Sequence, residues 1–321
     1  MAFASSLREG IGFLWKQGGA CTARRPATAG CDAEKRPGIL TQPRADRNLR
    51  SAITQSCART ITGLAIVAFG AGPCRGADAL VLLVQPPSWA GEAATLDPGP
   101  FADLLGRAMG VEIHARVSDD TLSHWQAVRG AADYQLAFDE AHFADYRIRH
   151  HGFTAIARSA ADARFAVVVR PRTLVTAPTD LVARTVAVPE PPSLAVARLL
   201  ALFPQPVRAP RLVVLPTRQA ALDLLARGDV AAALLAMNDD GQVAGGEVAL
   251  VTDVSPGRAL TVAASLSEPA RRALVEALVG ASQTPKGRRA LAGMRLRAVV
   301  EAGDEQFEGN ERLLRGTWGY R

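Results

Sequence analysis

Ser193 is the residue whose type and setting best suit an acid group. It follows the apolar run 185–189 and the pair Pro191-Pro192, and it opens the apolar stretch 194–203. A hydroxyl here either caps a helix by accepting from free backbone N–H groups, or joins those N–H groups in holding an oxyanion at the helix start. Spacing by itself favours the cap. Leu194 and Ala195 follow, and they can offer only their backbone N–H groups.

A second set lies after the expected strand 134–138. Asp139, Glu140 and His142 sit at its carboxyl end, where α/β proteins bind ligands. Acidic residues also favour the first turn of a helix, so capping and ligand contact both remain open. If both carboxylates faced a cleft, they would repel a dianion and suit a ligand bearing an ammonium group or a hydroxyl donor. Ser88 and Trp89 follow the first strand and either line a cleft or pack beside it. Thr217 repeats the ambiguity of Ser193. Asn238 follows the expected strand 230–235 and is placed to reach the same cleft.

Other chemistries find no support. The exported part reads as free of cysteine, which excludes thiol catalysis and cysteine-ligated metals there. The five histidines (His114, His124, His142, His150, His151) show no His-x-x-x-His pair and read as a solvated surface rather than a metal site. No P-loop, dinucleotide glycine fingerprint or Gly-x-Ser-x-Gly elbow occurs, so no cofactor is expected. Arg271-Arg272 and Arg288-Arg289 read as solvated helix faces, not nucleic-acid contacts.

Short apolar runs alternating with helical stretches must position these residues. Strands are expected at 80–84, 111–117, 134–138, 153–157, 165–170, 185–189, 211–215 and 230–235. Helices are expected at 101–109, 120–128, 139–149, 193–203, 217–227, 268–279, 285–294 and 304–314. That alternation implies parallel sheets covered by helices. The segments HWQAVRGAADYQLAF and ALDLLARGDVAAALL share a helix–Gly–Asp–strand corner about 100 residues apart. Two similar lobes or coincidence would each account for it.

The charge imbalance stops at Ala79. Residues 1–79 carry 11 Lys+Arg and 5 Asp+Glu, and the rest of the chain balances at 26 of each, so the surplus of the +6 chain lies upstream. Arg44, Arg47, Arg50 and Arg59 precede the uncharged run 61–71, and Ala77-Asp78-Ala79 gives a small-x-small pattern. This is the layout of a secretory signal peptide, with an exported chain beginning near Leu80. Residues 1–43 read as a disordered or mis-extended leader. Pro73 directly before Cys74 argues against a lipid anchor.

Several segments together resemble the type 2 periplasmic solute-binding proteins, in the phosphate/phosphonate-binding subfamily of ABC transporters. They are the first strand ending in Pro86-Pro87, the stretch Gly130 to Leu136 with Asp133-Tyr134-Gln135, the crossover 174–200, and the corner Gly228-Asp229-Val230-Ala231-Ala232. Within the crossover, Thr179-Asp180-Leu181 followed by 185–188 matches a family run, although Ala183-Arg184 stands where the family usually has Lys-Gly. The resemblance implies an α/β fold of two lobes, each a mostly parallel sheet with flanking helices, joined by two crossovers. Lobe one would be 80–165 plus 258–321, and lobe two 166–257. It implies a monomeric periplasmic protein, not an enzyme, that holds a small oxyanionic ligand between the lobes and delivers it to an inner-membrane permease. It turns the balance at Ser193, Leu194 and Ala195 toward ligand contact, although PPSLAV has fewer hydroxyls than the family pattern. A periplasmic sensor docking on a signalling receptor would share every motif, and a hydrolase using Ser193 would need a base that the sequence does not place.

Overall fold

Continuous apolar runs build the strands, and two separate sheets result. The computed structural model describes residues 79–89, 96–238, 240–243 and 245–320. The expected leader, signal peptide and Cys74 lie outside the described residues.

The first sheet begins with β1 (Leu80–Val84), whose inner residues Leu82, Leu83 and Val84 are buried. Helix α1 (Gly99–Met109) ends where Gly110 turns left-handed at φ 69°, a conformation glycine adopts without strain. β2 (Ile113–Val117) and β3 (Leu136–Asp139) flank β1 and run parallel to it. Between them, α2 (Thr121–Gly130) starts at Asp120, which accepts from Ser123 N in a capping box. Helix α3 (Ala141–His151) leads to β4 (Thr154–Ser159). After the second sheet the chain returns as β10 (Ala259–Val262), α6 (Glu268–Val279), α7 (Pro285–Gly293) and β11 (Val299–Glu301). The sheet order is β11-β4-β10-β3-β1-β2.

The second sheet holds β5 (Phe165–Val169), β6 (Thr185–Val188), β7 (Arg211–Val214), β8 (Ala232–Ala236) and β9 (Glu247–Val251), in the order β7-β6-β8-β5-β9. Helices α4 (Leu194–Ala201) and α5 (Arg218–Arg227) connect its parallel strands. Large apolar side chains packed fully inside each sheet's core contribute about 1.5–3 kcal/mol apiece.

The chain crosses between the sheets at 160–164 and 252–258. The two crossings run side by side: Ala163 and Ser255 exchange both backbone hydrogen bonds, at 2.8 and 3.0 Å. Gly257 lies so close to the carbonyls of Ser159 and Ala161 that a Cβ there would collide with both.

The expectation of mostly parallel sheets is corrected: both sheets are mixed. β10 pairs antiparallel with β3 and β4, and β5 pairs antiparallel with β8 and β9. The cause is topological. A strand entering from the other sheet meets its neighbours from the opposite end. Strands β9, β10 and β11 had no sequence expectation. The strand expected at 134–138 starts later and includes Asp139, and the tail 304–314 forms two 3-10 turns rather than one helix. The solvated reading of the histidines fails for His124 and His142, which are wholly buried. Among the described residues, no helix is long and apolar enough to cross a membrane.

Candidate functional site

Asp139 ends β3 and Glu140 follows it in extended backbone, so the two carboxylates turn to opposite sides. Asp139 turns into lobe one. It is fully buried, and both its oxygens accept from the Arg147 fork, at 3.3 and 2.5 Å. His124 Nε2 lies 3.0 Å from Asp139 Oδ2, and its Nδ1 lies 3.0 Å from Ser118 Oγ. One neutral tautomer serves both contacts, donating to Asp139 and accepting from Ser118. Arg147 also donates to Thr261 Oγ1 at 2.9 Å and to Tyr134 OH at 3.0 Å. Burial pushes the Asp139 carboxyl up, but the Arg147 charge and the His124 hydrogen bond outweigh it and hold the group far below the ordinary carboxylate range. Burial pushes the His124 imidazole down. The expectation that Asp139 faces a ligand is therefore corrected. Its charge is matched inside lobe one.

Glu140 turns the other way, toward lobe two. Its Oε2 accepts from Leu194 N, the first residue of α4, at 2.8 Å. Gln85 Nε2 donates to the same oxygen at 2.8 Å, and Ser88 Oγ donates to Oε1 at 3.0 Å. Gln85 Oε1 accepts from Glu140 N at 2.8 Å, which fixes the orientation of the Gln85 amide. Glu140 thus supplies the acceptor that a free helix N–H group needs, from the opposite lobe.

Ser193 occupies the N-cap position of α4 but makes no side-chain cap bond. Its hydroxyl is buried and has no partner. His142 lies at the same junction. Its Nε2 donates to Pro192 O at 2.7 Å, its ring stacks on Phe143 with centroids 4.0 Å apart, and its Nδ1 is buried without a partner. Burial holds the His142 imidazole below its usual value. Thr121 N adds a third link across the junction by donating to Glu190 Oε2 at 3.4 Å.

A crevice of about 610 Å³ opens beside this junction, with walls from both sheets. Ser88, Trp89, Glu140, Ala195 and Asn238 line it, as does Arg258. Trp89 follows β1 of the first sheet, yet its 6% exposed side chain packs in the apolar cluster of the second sheet with Ala166, Val168 and Leu235. Asn238 Oδ1 accepts from Gln242 N at 2.6 Å and so closes its own turn. Arg258 Nη2 donates to the carbonyls of Gln85 (2.7 Å) and Phe138 (3.2 Å), and its Cζ lies 4.8 Å from the Phe138 ring centre. Burial lowers the Arg258 pKa, and the charges of Glu140 and Asp139 oppose that shift.

Not every expected residue meets here. Thr217 accepts from Ala220 N at 3.0 Å, caps α5 and does not line the crevice. Ser193, Leu194 and His142 are buried at the junction beside the crevice, and Asp139 inside lobe one, rather than in its lining. Sequence reasoning passed over Gln85 and Arg258. Gln85 is the polar residue directly after the apolar run 80–84, a signal that was available. Arg258 directly precedes β10, a strand with no sequence expectation. Among the described residues, no three His, Cys, Asp or Glu side chains converge to hold a metal ion.

A family model described as an ABC transporter, phosphonate, periplasmic substrate-binding protein matches residues 91–307. Comparison with curated proteins finds no match. A solved Xanthomonas citri protein bound to ATP is similar in fold, with TM-score 0.59 at 12% identity, covering 75% of this chain and 100% of its own. PhnD1 from Prochlorococcus marinus in complex with methylphosphonate gives TM-score 0.59 at 12% identity, covering 74% and 97%. A binding-protein component of an ABC phosphonate transporter from Pseudomonas aeruginosa gives TM-score 0.56 at 13% identity, covering 73% and 85%. At these identities, the likeness to the solved structures is one of fold.

Proposed function

From the phosphonate-binding family of periplasmic ABC-transporter substrate-binding proteins, to which this chain belongs, we propose a receptor that captures a small phosphonate-like oxyanion in the interlobe crevice and passes it to its permease. Family membership makes the chain a periplasmic partner of such a permease. The reading of the ligand rests on one observation: the junction beside the crevice directs the Leu194 N–H, the Gln85 amide and the Ser88 hydroxyl onto a single carboxylate. Charge-assisted hydrogen bonds of this kind are the strong ones, and a helix start adds its dipole. The Arg258 cation lines the same crevice, and the unpartnered Ser193 hydroxyl lies buried one residue before Leu194.

In this reading, Ser193, Leu194, Ala195, Ser88 and Gln85 meet the ligand's acid group, while Trp89 and Asn238 form walls for the rest of it. His142 holds the loop before α4 through Pro192 O. Lobe one comprises 80–165 plus 258–321 and lobe two 166–257, and the paired crossings serve as the hinge. In the same reading the protein acts as a monomer, reaches the periplasm through the signal peptide ending at Ala79, and serves as a receptor rather than an enzyme.

A thermal-shift panel of methylphosphonate, 2-aminoethylphosphonate, phosphate and neutral sugars tests the reading. A ligand that binds only the folded state raises the melting point by mass action. Stabilisation by one of the oxyanions and not by sugars is expected. Stabilisation by sugars alone would overturn the ligand class.

A further inference from the structure

Resting on that reading, we propose that the Glu140 carboxylate is a built-in occupant of the subsite for the ligand's acid group, so that ligand binds by displacing it. Glu140 belongs to lobe one, one residue beyond β3, yet it accepts the first N–H of α4 in lobe two. The three groups that donate to its carboxylate come from two segments: the Gln85 and Ser88 side chains after β1, and the Leu194 backbone N–H across the crevice. Donors converging from both lobes onto two oxygens form the cradle a binding protein offers its ligand.

The subsite holds more donors than its occupant uses. A helix start ordinarily finds an acceptor in its own N-cap side chain. At α4 that side chain, Ser193 Oγ, bonds to nothing although it is fully buried. A buried hydroxyl without a partner carries a desolvation penalty, and such groups call for an explanation. This one lies a residue away from the N–H that Glu140 occupies. A planar carboxylate has two oxygens, both already engaged, whereas a tetrahedral phosphonate has three. The third can take the Ser193 hydroxyl.

Charge supports the same conclusion. Arg258 lines the crevice and feels the Glu140 charge. With Glu140 seated, a second anion meets a like charge. With Glu140 withdrawn, the Arg258 cation stays behind with the freed donors. Displacement therefore sets a threshold. An acid with no further reach must replace the Glu140 bonds unaided, while a ligand that also touches Trp89 and Met237, which both line the crevice, gains contacts that Glu140 lacks. Glu140 in this way sets which acids the receptor accepts.

Calorimetric titration of the wild type, Glu140→Gln and Glu140→Ala with methylphosphonate and with inorganic phosphate tests the proposal. Both variants are expected to bind methylphosphonate at least about tenfold more tightly, a difference of about 1.4 kcal/mol, with the larger relative gain for phosphate. Acetate should compete with methylphosphonate in Glu140→Ala, where it can take the vacated place, and should not compete in the wild type. Glu140→Gln keeps the side chain's size and guards against loss of folding. Binding by the variants alone would also support the proposal, as self-blockade of the wild type. Wild-type binding equalled or weakened in both variants would overturn the proposal and leave the proposed function standing. Failure of all three proteins to bind either anion would overturn both.

Discussion

Asp139 and Glu140 are neighbours in sequence and opposites in circumstance. Asp139 lies in a polar cluster where each charged group is matched: the Arg147 fork, the His124 ring, and the Thr261 and Tyr134 hydroxyls answer one another inside lobe one. Around Glu140, by contrast, Ser193 Oγ, His142 Nδ1 and Arg258 Nε are all buried without partners. A satisfied buried network holds a fold together. We read the unsatisfied one beside the crevice as a place for a ligand to fill. One residue of strand alternation separates the two.

The largest effect should come from the satisfied cluster. Replacing Asp139 with Asn leaves the Arg147 charge buried and unmatched, which should cost about 3–5 kcal/mol of stability. Urea denaturation measures the loss. Affinity for the ligand should be nearly unchanged in the fraction that folds. Equal loss of affinity would return Asp139 to the site.

At the crevice the pattern should invert. Ser193→Ala removes no hydrogen bond in the unliganded protein, so its stability should hold. Oxyanion affinity should fall by about 1.5–3 kcal/mol, because the hydroxyl then donates to a charged group. Calorimetry beside a denaturation curve separates the two quantities. Thr217 supplies the control at the same structural position. Its hydroxyl caps α5, so Thr217→Ala should cost about 1 kcal/mol of stability and leave affinity alone.

The smallest effect concerns pH near neutrality. His124 and His142 are both held below their ordinary value of 6.5 by burial. A depressed folded-state pKa means that their contribution is complete above 6.5 and is lost as the pH falls through that value toward the folded one. Asp139 acts in the same direction at lower pH, since its carboxyl must be protonated against Arg147. Melting temperature should therefore be flat from pH 8 to 7, decline from about 6.5, and fall more steeply below the ordinary carboxylate value of 3.8. Greater stability at pH 5 than at pH 7.5 would contradict the assignment of buried neutral imidazoles.

Much of this was legible in the sequence, and the rest was hidden for physical reasons. Uninterrupted runs such as LVLLV and FAVVV identify buried strands, the alternation of strands and helices implies sheets covered by helices, and the two-lobed plan comes from the family resemblance. The runs EVALV and ALTV are each broken by a charged or polar residue and follow irregular stretches, so period alone does not single them out. With β10 missed, Arg258 had no place in the site. Ser193 is readable as a helix start, but whether its hydroxyl caps or waits depends on Glu140, 53 positions earlier, taking the Leu194 N–H. The two carboxylates look alike in sequence because their fates turn on which side of the chain each faces: one meets Arg147, the seventh residue of α3, the other meets Leu194 N of α4. His124 and His142 looked solvated because nothing local marks their partners, Asp139 and Pro192 O.

A crystal structure of the protein with methylphosphonate tests the central claim most directly. We expect a phosphonate oxygen within about 3 Å of Leu194 N, a second accepting from the Ser193 hydroxyl, and the Glu140 carboxylate turned away from α4. Methylphosphonate bound elsewhere, with the hydrogen bond from Leu194 N to Glu140 intact, would contradict it.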